Sequence, residues 1–198
     1  MAFKIILCVL IGYLLGSVVT AILVSNIFFK EDVRSHGSGN SGATNAARVY
    51  GLRFGIVTFA IDFIKGVLAC ALGSLIAGRA GLAAAGIASV VGHCFPIIFG
   101  LRGGKGVSVG SAFALMADWR IFAIGLAVFL IAAFLSKRVS VGSILGTVAV
   151  GVGFVIFPPE IFLKVLGVIA AALVIYMHRS NMVRIINGTE PEFTLGKR

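Results

Sequence analysis

Residues 37–45 read Gly37-Ser38-Gly39-Asn40-Ser41-Gly42-Ala43-Thr44-Asn45, with Arg48 three positions further on. Small residues allow several backbone N–H groups to turn toward one point, and Ser38, Asn40, Ser41, Thr44 and Asn45 add side-chain donors. A concave set of donors of this kind suits a phosphate. A helix beginning near Ala43 places Thr44 and Arg48 (i, i+4), and Asn45 and Arg48 (i, i+3), on one face. The guanidinium is then one turn from the loop and able to hold phosphate through two parallel hydrogen bonds. The string Gly37-x-Gly39-x-x-Gly42 also matches the dinucleotide-binding fingerprint. Here it follows a long apolar segment instead of a strand and has no βαβ unit around it, so that match is coincidental. The plainer reading of the segment is a flexible glycine-serine loop.

Two further groups have the same character. Arg102-Gly103-Gly104-Lys105-Gly106 follows His93-Cys94-Phe95-Pro96. It is not a Walker loop, because Gly106 stands where Ser or Thr is needed, but a lysine between glycines still offers a phosphate-binding charge. Its bland alternative is a basic anchor at the end of a membrane span, and His93 reads first as a helix-helix hydrogen-bonding partner. His178, Asn181 and Arg184 lie at i, i+3 and i+6, roughly one face of a helix. An imidazole, an amide and a guanidinium on one face suit an anionic ligand, or equally an interfacial anchor. Asp62 and Lys65 are one turn apart inside an apolar run and can pair, which lowers the cost of burying both. Ser140 and Ser143 stand near Lys137 and Arg138 and can add hydroxyls.

Some chemistries are absent. There is no Asp-x-x-Asp or His-x-x-x-Asp cluster for a two-metal phosphotransferase, and no Gly-x-Ser-x-Gly elbow for a serine acyl-enzyme. The expected metal set is empty and no cofactor is implied. Acyl transfer by such a chain needs a donor that arrives already activated.

The elements that must position these groups are membrane helices. Of 198 residues, 59% are hydrophobic and 12% charged, against about 45–50% and about 25% in soluble domains. The net charge of +10 is carried in short gaps between apolar stretches, which argues for a membrane partner and against nucleic acid. Apolar segments cover about 3–29, 54–77, 80–100, 107–117, 121–135, 141–157 and 161–177. Gly78-Arg79 leaves room only for a turn, making the second and third segments a helical hairpin, and Pro158-Pro159-Glu160 breaks the chain before the last one. The pair 107–117 and 121–135 is short for full crossings, so the count is seven spans, or five if that pair re-enters. The chain is a single unit, 1–198. The first segment has no small-residue cleavage site and reads as a retained helix. Cys8, Cys70 and Cys94 sit far apart in apolar runs and read as small buried hydrophobes.

Along this path one set of loops holds Lys30, Arg34, Arg48, Arg53, Arg102, Lys105, Lys137, Arg138, Arg179, Arg184, Lys197 and Arg198. The opposite set holds only Lys4, Arg79, Arg120 and Lys164. The richer set is cytoplasmic by the positive-inside rule, which places the N-terminus outside and the C-terminus inside. It also gathers the glycine-rich polar loops on one face. The many glycines within the spans read as helix-packing residues.

Taken together, the segments Gly37 to Arg48, Gly92 to Gly106 and His178 to Glu190 resemble the PlsY family of bacterial acyl-phosphate:glycerol-3-phosphate acyltransferases. That family carries a Gly-Ser-Gly-Asn-x-Gly-Ala-Thr-Asn-x-x-Arg loop, a Gly-His-x-Phe-Pro to Gly-Gly-Lys-Gly segment and a His-Arg-x-Asn-x-x-Arg-x-x-x-Gly-x-Glu tail. The resemblance spans nearly the whole chain, in the same order. It implies an all-α polytopic fold of seven transmembrane helices in the bacterial inner membrane, with the active site on the cytoplasmic face. It also implies transfer of an acyl group from acyl phosphate to the 1-hydroxyl of glycerol 3-phosphate. The products are lysophosphatidic acid and inorganic phosphate, for phospholipid biosynthesis, with no covalent acyl-enzyme.

By the same resemblance Ser38, Gly39, Asn40, Gly42, Thr44 and Asn45 hold acyl phosphate, with its acyl chain in the bilayer between spans. Arg48, Lys105, Ser143, His178 and Asn181 hold glycerol 3-phosphate, and Arg48, Lys105, His178 and Asn181 carry the catalysis. An acyl-phosphate-forming enzyme is the implied functional partner. The proton acceptor is either His178 or the substrate phosphate, and the family pattern favours the phosphate. From the residues without the resemblance, two other classes stay open: a carrier for a phosphorylated metabolite, and a helical scaffold with basic anchors.

Overall fold

The computed structural model describes residues 1–193. Lys197 and Arg198, which belong to the basic loop set, lie outside the described residues. Among the described residues every regular element is helical: α1 (Ala2–Ser17), α2 (Thr20–Val24), α3 (Ala43–Tyr50), α4 (Leu52–Cys94), α5 (Val107–Ala117), α6 (Trp119–Ser136), α7 (Val139–Ile156), α8 (Ile161–Met177) and α9 (Arg179–Ile186). Hydrocarbon offers backbone groups no partners, and a helix satisfies them within its own segment.

α4 is not one rod. Ala77 and Gly78 leave helical geometry, Gly78 at φ 60°, ψ −148°, a region open to a residue without Cβ. In a straight helix residues 65 and 93 would lie about 42 Å apart, yet Lys65 Nζ is 3.0 Å from His93 Nδ1. Residues 52–76 and 79–94 are therefore antiparallel arms of the expected hairpin. The second arm stops at Cys94, earlier than its apolar run, because Pro96 follows and disfavours helix before it.

Packing between spans rests on small residues. A Cβ on Gly12 would fall on the Ala85 backbone, and one on Gly16 on the Ser89 backbone. α1 thus lies backbone against backbone on the second arm of α4, where lipid supplies no hydrophobic drive and close contact must supply the attraction. The buried core gathers Leu82, Val90, Val109, Phe113, Phe154 and Leu163 from α4, α5, α7 and α8. Cys8, Cys70 and Cys94 are buried free thiols, as read from the sequence. The outer surface is also apolar, with Leu75, Phe134, Leu135 and Ile161 all largely exposed. In water such a surface would aggregate; in lipid it is matched to its solvent.

Two segments depart from the sequence reading. Span 3–29 is broken: Val18 (ψ 97°) and Val19 (ψ 105°) are extended, and the halves meet at 40°. The cause lies elsewhere in the chain. The freed Val18 carbonyl accepts from Lys65 Nζ, and the Thr20 hydroxyl donates to Asp62 Oδ1 at 2.8 Å. The segment expected at 121–135 begins earlier, at Trp119, because the Asp118 carboxylate caps it by accepting from Arg120 N–H at 2.9 Å. With 18 residues it is long and apolar enough to span, as is α7. α5, with 11 residues, reaches only about 16 Å against a hydrocarbon core of about 30 Å.

Candidate active site

The loop after α2 is braced by side chains that do not line the cavity described below. Arg34 pairs with Asp32 at 2.7 Å and donates to the Phe99 and Arg102 carbonyls at 2.9 and 2.8 Å. That contact ties residues 30–42 to the loop ahead of Lys105. Ser25 Oγ accepts from Val33 N–H at 3.1 Å, and Phe29 stacks on Tyr50 with ring centroids 4.0 Å apart.

Asn45, at 2% exposure, has its amide fully engaged. Its Oδ1 accepts from Ser38 N–H at 2.8 Å, and its Nδ2 donates to the carbonyls of Val33 and His36 at 3.1 and 3.0 Å. Asn40 Oδ1 accepts from Gly42 N–H at 2.9 Å. Gly42 then caps α3, whose first N–H groups at Ala43 and Thr44 have no partner in the chain among the described residues. The start of α3 at Ala43 matches the sequence expectation. It leaves the Arg48 side chain one turn along, half-buried and without a hydrogen bond to the protein among the described residues.

These groups open on a cavity of about 530 Å³. Of the sequence-predicted residues, Ser38, Asn40, Gly42, Thr44, Asn45, Arg48, Lys105, Ser143, His178 and Asn181 all line it. Gly39 does not; it sits at φ 72° in the exposed turn, where it closes the loop by donating to the His36 carbonyl at 3.1 Å. Lys105 comes from the loop after α4, Ser143 from the second turn of α7, and His178 from the joint between α8 and α9. At that joint the helix bends by 53° instead of continuing straight, which turns Asn181 and Arg184 back over the cavity.

The sequence reading placed Arg184 on a face suited to an anionic ligand and met Glu190 only as the last position of the third motif, without a role. The structure makes Glu190 the organiser of this wall. Its carboxylate accepts from Asn181 Nδ2 and from Arg184 Nε, both at 2.7 Å, and its carbonyl accepts from Arg138 Nε at 3.0 Å. Asn181, oriented in this way, presents Oδ1 to the Lys105 ammonium. Ser108, at the start of α5, also lines the cavity and carried no signal in the sequence beyond its position two residues after Gly106.

Charge is arranged to receive an anion. Burial first, and then the neighbouring Arg184 and Arg48 charges, bring the Lys105 ammonium down from 10.5 to about 8, with Glu190 acting against them. Burial and the Lys105 charge push His178 down to about 4. Burial alone would raise the Glu190 carboxyl, but the donors facing it, Ser140, Asn181 and Arg184, hold it below the usual carboxylate range. His178 Nδ1 lies 2.7 Å from the Val174 carbonyl. A carbonyl only accepts, so Nδ1 carries the hydrogen and Nε2 is a bare acceptor. A second, apolar cavity of about 230 Å³ lies among α5, α6, α7 and α8, and shares Phe59, Gly106, Val107, Phe129 and Ser143 with the first.

A helical, lipid-compatible bundle that carries a donor-rich, basic cavity beside an apolar one has the character of a membrane protein with a site suited to an anionic group next to an apolar one. The chain belongs to the glycerol-3-phosphate acyltransferase family, whose model matches residues 6–188. It is 36% identical over 189 residues to the glycerol-3-phosphate acyltransferase of Finegoldia magna, covering 95% of this chain and 94% of that one. It is 39% identical over 186 residues to the enzyme of that name from Bacillus velezensis, covering 94% and 96%. The fold superposes with a TM-score of 0.91 on the crystal structure of PlsY, an integral membrane glycerol 3-phosphate acyltransferase, in its glycerol 3-phosphate form. That match has 30% identity and covers 96% of each chain. Membership in this family selects the enzyme among the three classes left open by the residues.

Proposed function

We propose that this protein acylates glycerol 3-phosphate in phospholipid synthesis, with acyl phosphate as donor and lysophosphatidic acid and inorganic phosphate as products. The observation that carries the proposal is the adjacency of two cavities that share Ser143 and four other lining residues. One is lined by donors and by Arg48, Lys105 and His178, and the other is apolar. The free N–H groups at the start of α3, with Ser38, Asn40, Gly42 and Thr44, hold the acyl-phosphate head, while the apolar cavity receives its chain. Asn45 and Gly39 shape that loop. Arg48, Lys105, Ser143, His178 and Asn181 hold glycerol 3-phosphate.

The glycerol 1-oxygen attacks the acyl carbonyl carbon, the bond from that carbon to the phosphate oxygen breaks, and phosphate leaves. Acyl phosphate is a mixed anhydride with a good leaving group, so alignment and charge stabilisation supply most of the catalysis. His178 Nε2 accepts the hydroxyl hydrogen bond and orients the attack. An imidazolium of pKa about 4 is far below the working pH, which makes its imidazole a weak base, and the proton passes to substrate phosphate.

The chain is read as one transmembrane domain of seven helices. They are α1 with α2, the two arms of α4, then α5, α6, α7 and α8. The N-terminus lies outside, and the site faces the cytoplasm across a bacterial inner membrane. A donor-forming enzyme on the same face supplies acyl phosphate. The test is phosphate release by purified protein in lipid cubic phase, with each substrate omitted in turn, with and without chelator. Release that requires both substrates and ignores chelator supports the proposal; no release from protein shown to be folded refutes it.

A further inference from the structure

The cluster at the break in the first span has a chemical consequence for the cavity. Lys65 is 6% exposed, and its ammonium meets three partners: the Val18 carbonyl, Asp62 Oδ1 at 2.8 Å and His93 Nδ1 at 3.0 Å. An ammonium has three N–H donors and no lone pair. The carbonyl and the carboxylate are acceptors, and a neutral amine would leave the Asp62 charge buried and unpaired. The third N–H therefore points at His93 Nδ1, which must be bare to accept it. A neutral imidazole with bare Nδ1 carries its hydrogen on Nε2.

His93 is 3% exposed; its Nε2 has no hydrogen-bond partner in the protein among the described residues, and it is not one of the fully buried side-chain atoms left without a partner there, so the little surface the ring keeps includes this atom. His93 lines the larger cavity. Gly104 lies against its Nε2, so that a Cβ at Gly104 would cover the atom, and Gly104 N–H donates to the His93 carbonyl at 3.0 Å. The imidazole edge is thus held beside the residue that precedes Lys105.

We propose that His93 is a ligand-binding residue whose Nε2–H, locked in place by Lys65 and left uncovered by Gly104, donates a hydrogen bond to a phosphate oxygen of the substrate held by Lys105. The inference rests on the acyltransferase reading for its substrate and on geometry for its tautomer. It assigns opposite roles to two imidazoles of one cavity: His178 presents a bare nitrogen and His93 a protonated one. Asp62 and Lys65 act through His93 as positioning residues.

The test uses the full chain in lipid nanodiscs, with glycerol 3-phosphate as the probe. Asn offers a polar atom near the Nδ1 position and Gln near the Nε2 position. His93→Asn keeps a partner for Lys65 and loses the donor in the cavity. It is expected to melt near the wild-type temperature while glycerol 3-phosphate affinity and kcat/KM fall roughly tenfold to a hundredfold, the effect of one hydrogen bond to a charged group. His93→Gln keeps the donor and loses the Lys65 partner, so it is expected to melt lower while retaining more of both. A purely structural role would make activity follow melting temperature through both variants, and that result would overturn the inference. Nitrogen-15 spectra of the histidine-labelled wild type decide the tautomer independently: Nε2 protonated with Nδ1 bare is expected, and the reverse overturns the inference. If the wild type transfers no acyl group, the acyltransferase reading fails separately, and the affinity and nitrogen-15 measurements still decide the role of His93.

Discussion

Raising the pH through about 8 removes the Lys105 charge. The ammonium lies at about 8 instead of 10.5, first because it is buried and then because Arg184 and Arg48 stand near it. Its charged fraction falls from about 90% at pH 7 to about 10% at pH 9, a change of roughly tenfold, whereas a lysine at its usual value stays fully charged over that range. A phosphate monoester has its second ionisation near pH ~6, so the substrate contributes nothing above pH 7. The profile of kcat/KM reports the free enzyme. For glycerol 3-phosphate it is expected to decline above about pH 8 with unit slope, while Lys105→Arg, whose guanidinium does not titrate, loses the decline at a lower plateau. Glu190 acts on Lys105 in the opposite direction, so Glu190→Gln is expected to shift the decline to lower pH. A profile flat to pH 9.5 in the wild type, or an unchanged decline in Lys105→Arg, would refute the assignment of the cavity charge to Lys105.

Three further outcomes are expected. His178→Gln, which keeps a polar atom near Nε2, is predicted to raise KM with kcat within a few fold in steady-state assays; collapse of kcat alone would mark His178 as the base. Asn45→Asp is expected to inactivate at least as strongly as Asn45→Ala in the phosphate-release assay. It turns two donors into acceptors against the Val33 and His36 carbonyls, at roughly 1–3 kcal/mol for each buried group left unpaired; wild-type activity in Asn45→Asp would show that the loop does not depend on those two donors. Gly16→Leu forces a side chain onto the Ser89 backbone, and a destabilisation of at least about 1–3 kcal/mol is expected as a lower melting temperature in detergent. An unchanged melting curve would show that α1 and α4 can separate freely.

Several features could be read from residues in order along the chain. Hydropathy and the bias of Lys and Arg are sums over windows, so the membrane class and the gathering of basic loops on one face need no contacts. The loop at 37–48 and Lys105 between glycines carry their chemistry locally, through backbone freedom and charge. Helix starts such as Ala43 follow from the same local rules. Other features depend on partners far apart in sequence, and only the tertiary structure decided them. The break at Val18–Val19 exists because Lys65 and Asp62, more than 40 residues away, satisfy the freed backbone. Composition read Asn45 as a ligand donor, but three backbone groups at 33, 36 and 38 had already taken its amide. Glu190 stood in the sequence only as the last position of a motif, and its role appeared when the bend at His178 brought Asn181 and Arg184 onto its carboxylate. A side chain of fixed hydrogen-bonding capacity can serve a ligand only with what its neighbours leave unused, and those neighbours are set by packing, not by spacing.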